Sequence, residues 1–280
     1  MDTFIVKKAL NNNVLIATDH QDGEVVLIGK GIGFNKNKND AINEDSIEKM
    51  FILRNEKEQE HLKQLLPHID QETLNTIIES IDMIRSRSNV LLNEQVHVAL
   101  TDHILFALTR LKKGMAINNP FLAETKALYP FEYEIAAEVV DFINQSLDTH
   151  LPDGEIGFIA LHVHSAITHK DLSDINKYSQ LVKQMIDMIE DQLELTIDRE
   201  GIDYIRLVRH IRYTIERVLR DEKIEAPIKI ASLLKKEYPI CYNLSWKLIK
   251  MMQQTLQKPL DDAEAVYLTM HLQRLTNKFE

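Results

Sequence analysis

The chain has 280 residues, of which 27% are charged, with only 8 Gly and 7 Pro and a formal net charge of −10. That length suffices for two or three domains, each burying its own core, and the composition excludes collagen-like or low-complexity character. The lone Cys241 excludes an intrachain disulfide or a cysteine-built metal cluster, no apolar run reaches the roughly 18–20 residues that span a bilayer, and MDTFIVKKAL lacks a signal-peptide layout, so a cytoplasmic protein without membrane attachment is expected.

Residues 3–53 read as short strands, TFIVKKAL, NVLIA, EVVLIG and KMFIL, separated by turn chemistry at NNN, DHQDG, GKGIG and NKNKND. They predict a small antiparallel sheet, marginal in size by itself, for which pairing with a second copy is a natural way to bury more surface. The overall acidity counts against a protein that coats nucleic acid, but residues 1–38 hold Lys7, Lys8, Lys30, Lys36 and Lys38 against Asp2, Asp19, Asp22 and Glu24. A nucleic-acid contact would therefore be local and confined to this N-terminal piece.

Within that piece, VKKALNNNVLIA places Asn11, Asn12 and Asn13 between two strands. A tight hairpin needs two turn residues, for which Asn serves because it tolerates left-handed backbone angles, so one asparagine is surplus. Its amide carries donors and an acceptor able to read a base edge; the plain alternative is that all three form a loose turn. Gly29-Lys30-Gly31-Ile32-Gly33 fits neither GxGxxG nor GxxxxGK[ST], and reads instead as a strand-ending turn that projects Lys30 and Phe34 beside the asparagines. An amide for base edges, a cation for phosphate and an aromatic ring for stacking are the ingredients of RNA recognition.

Residues 55–63, NEKEQEHLK, read as a linker, and beyond them the apolar spacing turns helical, as in Val96, Ala99, Leu100, Ile104, Ala107, Leu108 and Leu111. The helical part repeats. At an offset of 107, LTDHILFALTRL aligns with LVRHIRYTIERV, matching His103 with His210 and Arg110 with Arg217. At an offset of 109, LPDGEIGFIALH aligns with LDDAEAVYLTMH, matching Asp153 with Asp262, Glu155 with Glu264 and His162 with His271. The fold class expected is therefore α+β and multidomain: a β domain over 1–58, then two all-α helical bundles over 63–170 and 174–280.

A single His on an apolar helix face is usually a packed core residue, but packing does not require an imidazole at all four repeated positions. His20, His61, His68, His97, His150, His164 and His169 lack that support and read as solvated or packed. Imidazole can bind metal, move protons or accept a phosphoryl group as a nucleophile. The phosphoryl reading needs nearby cations, and Arg110 and Arg217 fall two turns after His103 and His210, Arg206 one turn before His210, and Arg274 nearly one turn after His271; each equally suits an ordinary solvated helix edge. No HExxH and no further ligands accompany the histidines, so neither metal nor cofactor is expected, and a helical metal-dependent hydrolase using paired histidines stands as the alternative. A purely structural dimeric scaffold is a third reading.

Taken together, VKKALNNNVLIA, VLIGKGIGF, LTDHILFAL, GFIALHVHSA and VYLTMHLQRL resemble BglG-type transcriptional antiterminators over essentially the whole chain, and KQLLP, NPFLAETKALYP and Lys30 look most like the glucose-responsive members. The resemblance implies a non-enzymatic, homodimeric RNA-binding domain acting on an antiterminator hairpin in a leader mRNA of a sugar-uptake gene, followed by two phosphotransferase-system (PTS) regulation domains. It places RNA contact on Lys8, Asn11, Asn13, Gly29, Lys30 and Phe34, and phosphorylation on His103, His162, His210 and His271. The implied donors are the cytoplasmic domain of a sugar transporter (enzyme II) for the first regulatory domain and the phosphocarrier protein HPr for the second.

Overall fold

The computed structural model describes residues 4–19, 23–52, 60–61, 64–66, 69–115, 118–225 and 228–276. Strands β1 (Phe4–Asn11), β2 (Val14–Asp19), β3 (Gly23–Ile28), β4 (Ala41–Ile42) and β5 (Lys49–Ile52) form one antiparallel sheet in the order β4-β1-β2-β3-β5. The sequence did not announce β4, whose two residues are too few to show alternation. Leu53, the last residue of KMFIL, and most of the expected linker lie outside the described residues, as do His20 and His68.

Strand β1 carries two bulges. Against β2 the register steps from Val6↔Ala17 to Lys8↔Ile16 and from Ala9↔Leu15 to Asn11↔Val14, leaving Lys7 and Leu10 as extra residues. The first bulge is why two consecutive lysines both face solvent, since a regular strand would turn one of them inward. The runs Val14–Ala17 and Val25–Ile28 are buried throughout because both faces of the sheet are covered. One face, with Phe4, Val6, Leu15, Val25 and Leu27, is sealed by Ile32 and Ile42. The other, with Val14, Val26 and Ile28, packs on Leu74 and Ile78 of α1 (Gln71–Ser88) and Val98 of α2 (Gln95–Lys112). Helices of the same chain thus supply the core on one face of the sheet, which the strand pattern alone does not show.

Further helices among the described residues are α3 (Leu122–Leu128), α4 (Pro130–Ser146), α5 (Gly154–Thr168), α6 (Leu172–Leu193), α7 (Ile202–Leu219), α8 (Ile228–Glu237), α9 (Pro239–Leu256) and α10 (Asp262–Thr276). Five helices thus recur in order. Helices α2 and α7 have 18 residues each and α5 and α10 have 15 each. The repeat extends to a feature the alignment missed: Tyr129 and Tyr238 both adopt φ −130°, ψ 58° immediately before a helix that starts with proline. Proline is suited to that first position because its missing N–H would be unpaired there anyway.

By its contacts the chain divides into two compact units, Met1–Ala116 with Ala137–Pro152 and Ala166–His169, and Ile117–Ala136 with Asp153–Ser165 and Lys170–Glu280. The second is built on a continuous apolar core from α3, α5, α6, α7, α9 and α10, including Leu161, Met185, Tyr204, Ile211, Leu248 and Leu268.

Helix α1 starts at Asp70, whose carboxylate accepts from Thr73 N at 2.8 Å and Thr73 Oγ1 at 2.9 Å. The backbone hydrogen bond from Thr73, outweighing burial, holds its carboxyl below the usual range. We expect Asp70→Ala to cost about 1 kcal/mol of stability at neutral pH, as lost N-caps do. Because the folded-state pKa is depressed, that contribution is present above the ordinary carboxylate pKa and disappears as pH falls through the folded value. Thermal melts of both proteins at pH 7 and pH 3 check this: the gap should narrow in acid.

Candidate nucleic-acid interface and paired histidines

The β1–β2 turn and the glycine turn after β3 lie at the same end of the sheet because Val14 pairs with Ile28. They are stitched together by the asparagines. Asn13 O accepts from Gly29 N at 3.0 Å and Asn12 O accepts from Gly33 N at 2.9 Å. The Asn13 side-chain Oδ1 accepts from Gly31 N at 2.8 Å. Asn11 Oδ1 accepts from Asn13 N at 2.9 Å, and its Nδ2 donates to Leu66 O at 3.1 Å.

None of the three asparagines has a positive φ, so left-handed tolerance is not what selects them. Asn11 and Asn13 instead supply side-chain hydrogen bonds to backbone, the first through an Asx turn, while Asn12 contributes its backbone carbonyl. Both polar atoms of Asn11 are engaged within the protein. Asn13 keeps its amide nitrogen, for which no partner is found among the described residues.

Two glycines permit the close approach. A Cβ on Gly29 would lie 2.2 Å from Ser46 O, and one on Gly33 would lie 2.2 Å from Asn11 O. Gly31 faces open space but holds φ +72°. This rigid corner leaves Lys30 and Phe34 exposed, Phe34 to 62%, with Lys8 exposed three residues upstream of Asn11. An exposed aromatic ring flanked by lysines on a fixed turn is a surface for stacking a base and holding phosphate.

In the helical repeat, all four aligned histidines are half-buried: His103 on α2, His162 on α5, His210 on α7 and His271 on α10. The structure brings His210 and His271 together, their rings stacked with centroids 4.8 Å apart and planes 26° from parallel. Glu264, buried at 2% exposure, sits under this pair. Its carboxylate accepts from Thr214 Oγ1 at 2.7 Å and from Arg217 at 2.7 Å and 3.1 Å, and lies 3.5 Å from His210 Nε2. Burial, with smaller contributions from His271 and Arg217, pushes His210 down to about 3. Burial and then the charges of Arg274 and Arg206 also lower His271.

The arginines divide differently from the sequence expectation. Arg217 is committed to Glu264, and Arg110 is buried at 7% with its guanidinium 4.7 Å over the Phe106 ring. Neither is the solvated cation that spacing alone suggested; Arg206 and Arg274 are the cations whose charge reaches His271. The alignment of Glu155 with Glu264 was the available signal for the buried carboxylate, but its role depends on a helix-to-helix contact that spacing does not give.

Two other histidines are more than packing. His164 Nδ1 lies 2.7 Å from Glu132 Oε1, with its ring 4.1 Å from that of Tyr129. Burial opposes ionisation of Glu132, yet the hydrogen bond and charge of His164 hold its carboxyl below the usual range. No sequence signal marks this pair, which is separated by 32 residues; the aligned positions, Cys241 and Gln273, also touch at 3.6 Å but carry different side chains. His97 is pushed by burial from 6.5 down to about 4. Between those values the unfolded chain binds a proton that the folded chain does not, so stability falls as pH drops through that window. His97→Gln is expected to flatten part of the decline in melting temperature from pH 6.5 to pH 4; an unaltered slope would contradict it.

A small sheet that presents cations and an aromatic ring on a locked turn, joined to two copies of a histidine-bearing helical module, defines a nucleic-acid-binding regulator. The comparisons agree. The CAT RNA binding domain matches residues 4–60, and the PRD domain matches twice, over 75–166 and 183–275. The chain is 54% identical over 276 residues to the PtsGHI operon antiterminator of Bacillus subtilis (strain 168), covering 99% of this chain and 98% of that protein. It is 42% identical over 282 residues to the GlcA/glcB genes antiterminator of Staphylococcus carnosus (strain TM300), covering 100% and 98%. The crystal structure of GlcT CAT-PRDI is similar with a TM-score of 0.53 and 55% identity, covering 59% of this chain and 99% of that one. The chain belongs to the BglG-type transcriptional antiterminators, the family that joins a CAT RNA-binding domain to PRD domains, and within it to the GlcT-like members. These relatives are antiterminators and not enzymes, so the hydrolase alternative falls.

Proposed function

We propose that this chain works in the cytoplasm as a homodimer that clamps an RNA hairpin in the leader mRNA of a PTS sugar-uptake gene, glucose being the sugar, and thereby prevents a competing terminator from forming. The domain limits we assign are 1–58, 63–170 and 174–280. What supports RNA contact most directly is the locked corner at the end of the sheet, with Phe34 at 62% exposure beside Lys30. Lys8, Lys30, Phe34 and the Asn13 amide touch the RNA, while Asn11 and Gly29 hold the backbone that presents them. His103 and His162 receive phosphate from the transporter's cytoplasmic domain when the sugar is absent, which inactivates the protein; HPr acts on the second module.

The test is a titration of the full-length chain with a short RNA hairpin, followed by fluorescence anisotropy at several salt concentrations. Lys30→Ala is expected to weaken binding of all RNA sequences and to reduce the slope of log affinity against log salt by about 0.7–0.9, the share of one lost phosphate contact. Identical slopes for wild type and variant would remove Lys30 from the interface.

A further inference from the structure

The two histidines of the second module are chemically unequal, although sequence repetition treats them alike. His210 has its Nε2 3.5 Å from the Glu264 carboxylate, with its side chain 13% exposed. His210 Nε2 makes no hydrogen bond there, so the Glu264 carboxylate acts on that nitrogen through its charge alone. That charge would repel a phosphoryl dianion placed there. Glu264 cannot turn aside to make room, because Thr214 and Arg217 both hold it. The neighbouring Arg217 does not offset this, since its guanidinium is already engaged by the same carboxylate.

His271 meets the opposite surroundings. The charges that act on it most are those of Arg274 and Arg206, with Asp203 opposing. Arg206 is half-exposed, its nearest carboxylate being Asp203 at 3.7 Å, so its guanidinium retains donors for a phosphoryl group. His271 is thus flanked by cations that stabilise the product.

We propose that Glu264 is a positioning residue that directs phosphorylation in the second module to His271 and away from His210. The inference rests on the reading that this module is phosphorylated at all. In the step itself, a lone-pair nitrogen of neutral His271 attacks the phosphorus of a donor protein's phosphohistidine. A P–N bond forms to His271 as the donor's P–N bond breaks, the donor's imidazole takes up a proton, and the His271 ring gives up the proton on its other nitrogen.

The experiment incubates the full-length chain with a phosphohistidine donor, the phosphorylated phosphocarrier protein, and quantifies phosphate on each histidine peptide by mass spectrometry under conditions that preserve the P–N bond. Wild type should carry at least tenfold more phosphate on His271 than on His210. Glu264→Gln keeps hydrogen-bonding capacity but removes the charge, and should raise His210 labelling several-fold while His271 labelling persists. His271→Ala should lose nearly all second-module phosphate, and adding Glu264→Gln should restore part of it on His210. A purely structural role for Glu264 would not move the label from one ring to the other. Circular dichroism confirms folding of each variant.

Wild-type labelling of His210 ahead of His271 would overturn the proposal, as would an unchanged distribution in a folded Glu264→Gln protein. Absence of phosphate from both rings, with His103 or His162 labelled by the transporter's domain, would overturn it together with phosphorylation of the second module. Absence from all four would remove the phosphorylation reading as a whole.

Discussion

Gly33→Ala is expected to lose specific RNA binding almost entirely and to cost about 3 kcal/mol of stability, the upper part of the range for forcing an extra carbon into a packed site. The added Cβ would sit 2.2 Å from Asn11 O, a backbone atom that cannot rotate away. Relief requires the glycine turn to move off the asparagine turn, which breaks the Gly33 N to Asn12 O hydrogen bond and dislocates Phe34, the next residue. Gly31→Ala is the informative contrast. Its Cβ meets nothing within 4 Å, so only the strain of φ +72° applies, about 1–2 kcal/mol. Thermal melts and hairpin titrations of the two variants should rank them in that order. Equal, small effects would mean that the corner tolerates displacement and that its rigidity is unrelated to binding.

Phe34→Ala should weaken hairpin binding by roughly 1–3 kcal/mol, the range for a lost base stack, with little change in stability. The stability half of this prediction follows from exposure: a ring 62% accessible contributes little to the core. Phe34→Tyr should retain most of the affinity, since stacking needs a flat π surface more than a particular ring. Because stacking carries little charge, the salt slope should remain as in wild type, which separates this variant from Lys30→Ala. Wild-type affinity for Phe34→Ala would place the stacking surface elsewhere.

The parts that sequence made visible are those where one residue type has few other reasons to be present. Apolar runs at Val14–Ala17 and Val25–Ile28 bounded by turn residues marked strands, and the repeated histidines marked a duplicated module. Where the reasoning missed, the missing quantity was three-dimensional. Turn chemistry suggests left-handed asparagines with one to spare, but the side chains of Asn13 and Asn11 hydrogen-bond to Gly31 N and Leu66 O, partners 18 and 55 residues away. Arg217 had the right spacing for a phosphate ligand, but a carboxylate 47 residues away claims it. The sheet looked marginal in size by itself because composition does not reveal that α1 and α2 cover one of its faces. The pair His164 and Glu132 left no trace, since the aligned positions carry Gln273 and Cys241 and a buried hydrogen bond has no periodic signature.

Coupling between histidine chemistry and RNA binding is tested most directly by phosphorylating the full-length protein through the sugar transporter's cytoplasmic domain, then measuring phosphate stoichiometry, hairpin affinity and molecular mass on the same sample. A phosphoryl group adds nearly two negative charges at neutral pH, and His103 and His162 are both half-buried, so the added charge cannot be fully hydrated where it lands. With one phosphate per chain on His103 or His162, affinity should fall at least tenfold and the mass should shift from dimer towards monomer, and both should be restored by dephosphorylation. His103→Ala and His162→Ala proteins should hold wild-type affinity under the same treatment to the extent that each removes its acceptor. Stoichiometric phosphate on either histidine with affinity and mass both unchanged would contradict the switch and return those two residues to the packed interior of their helices.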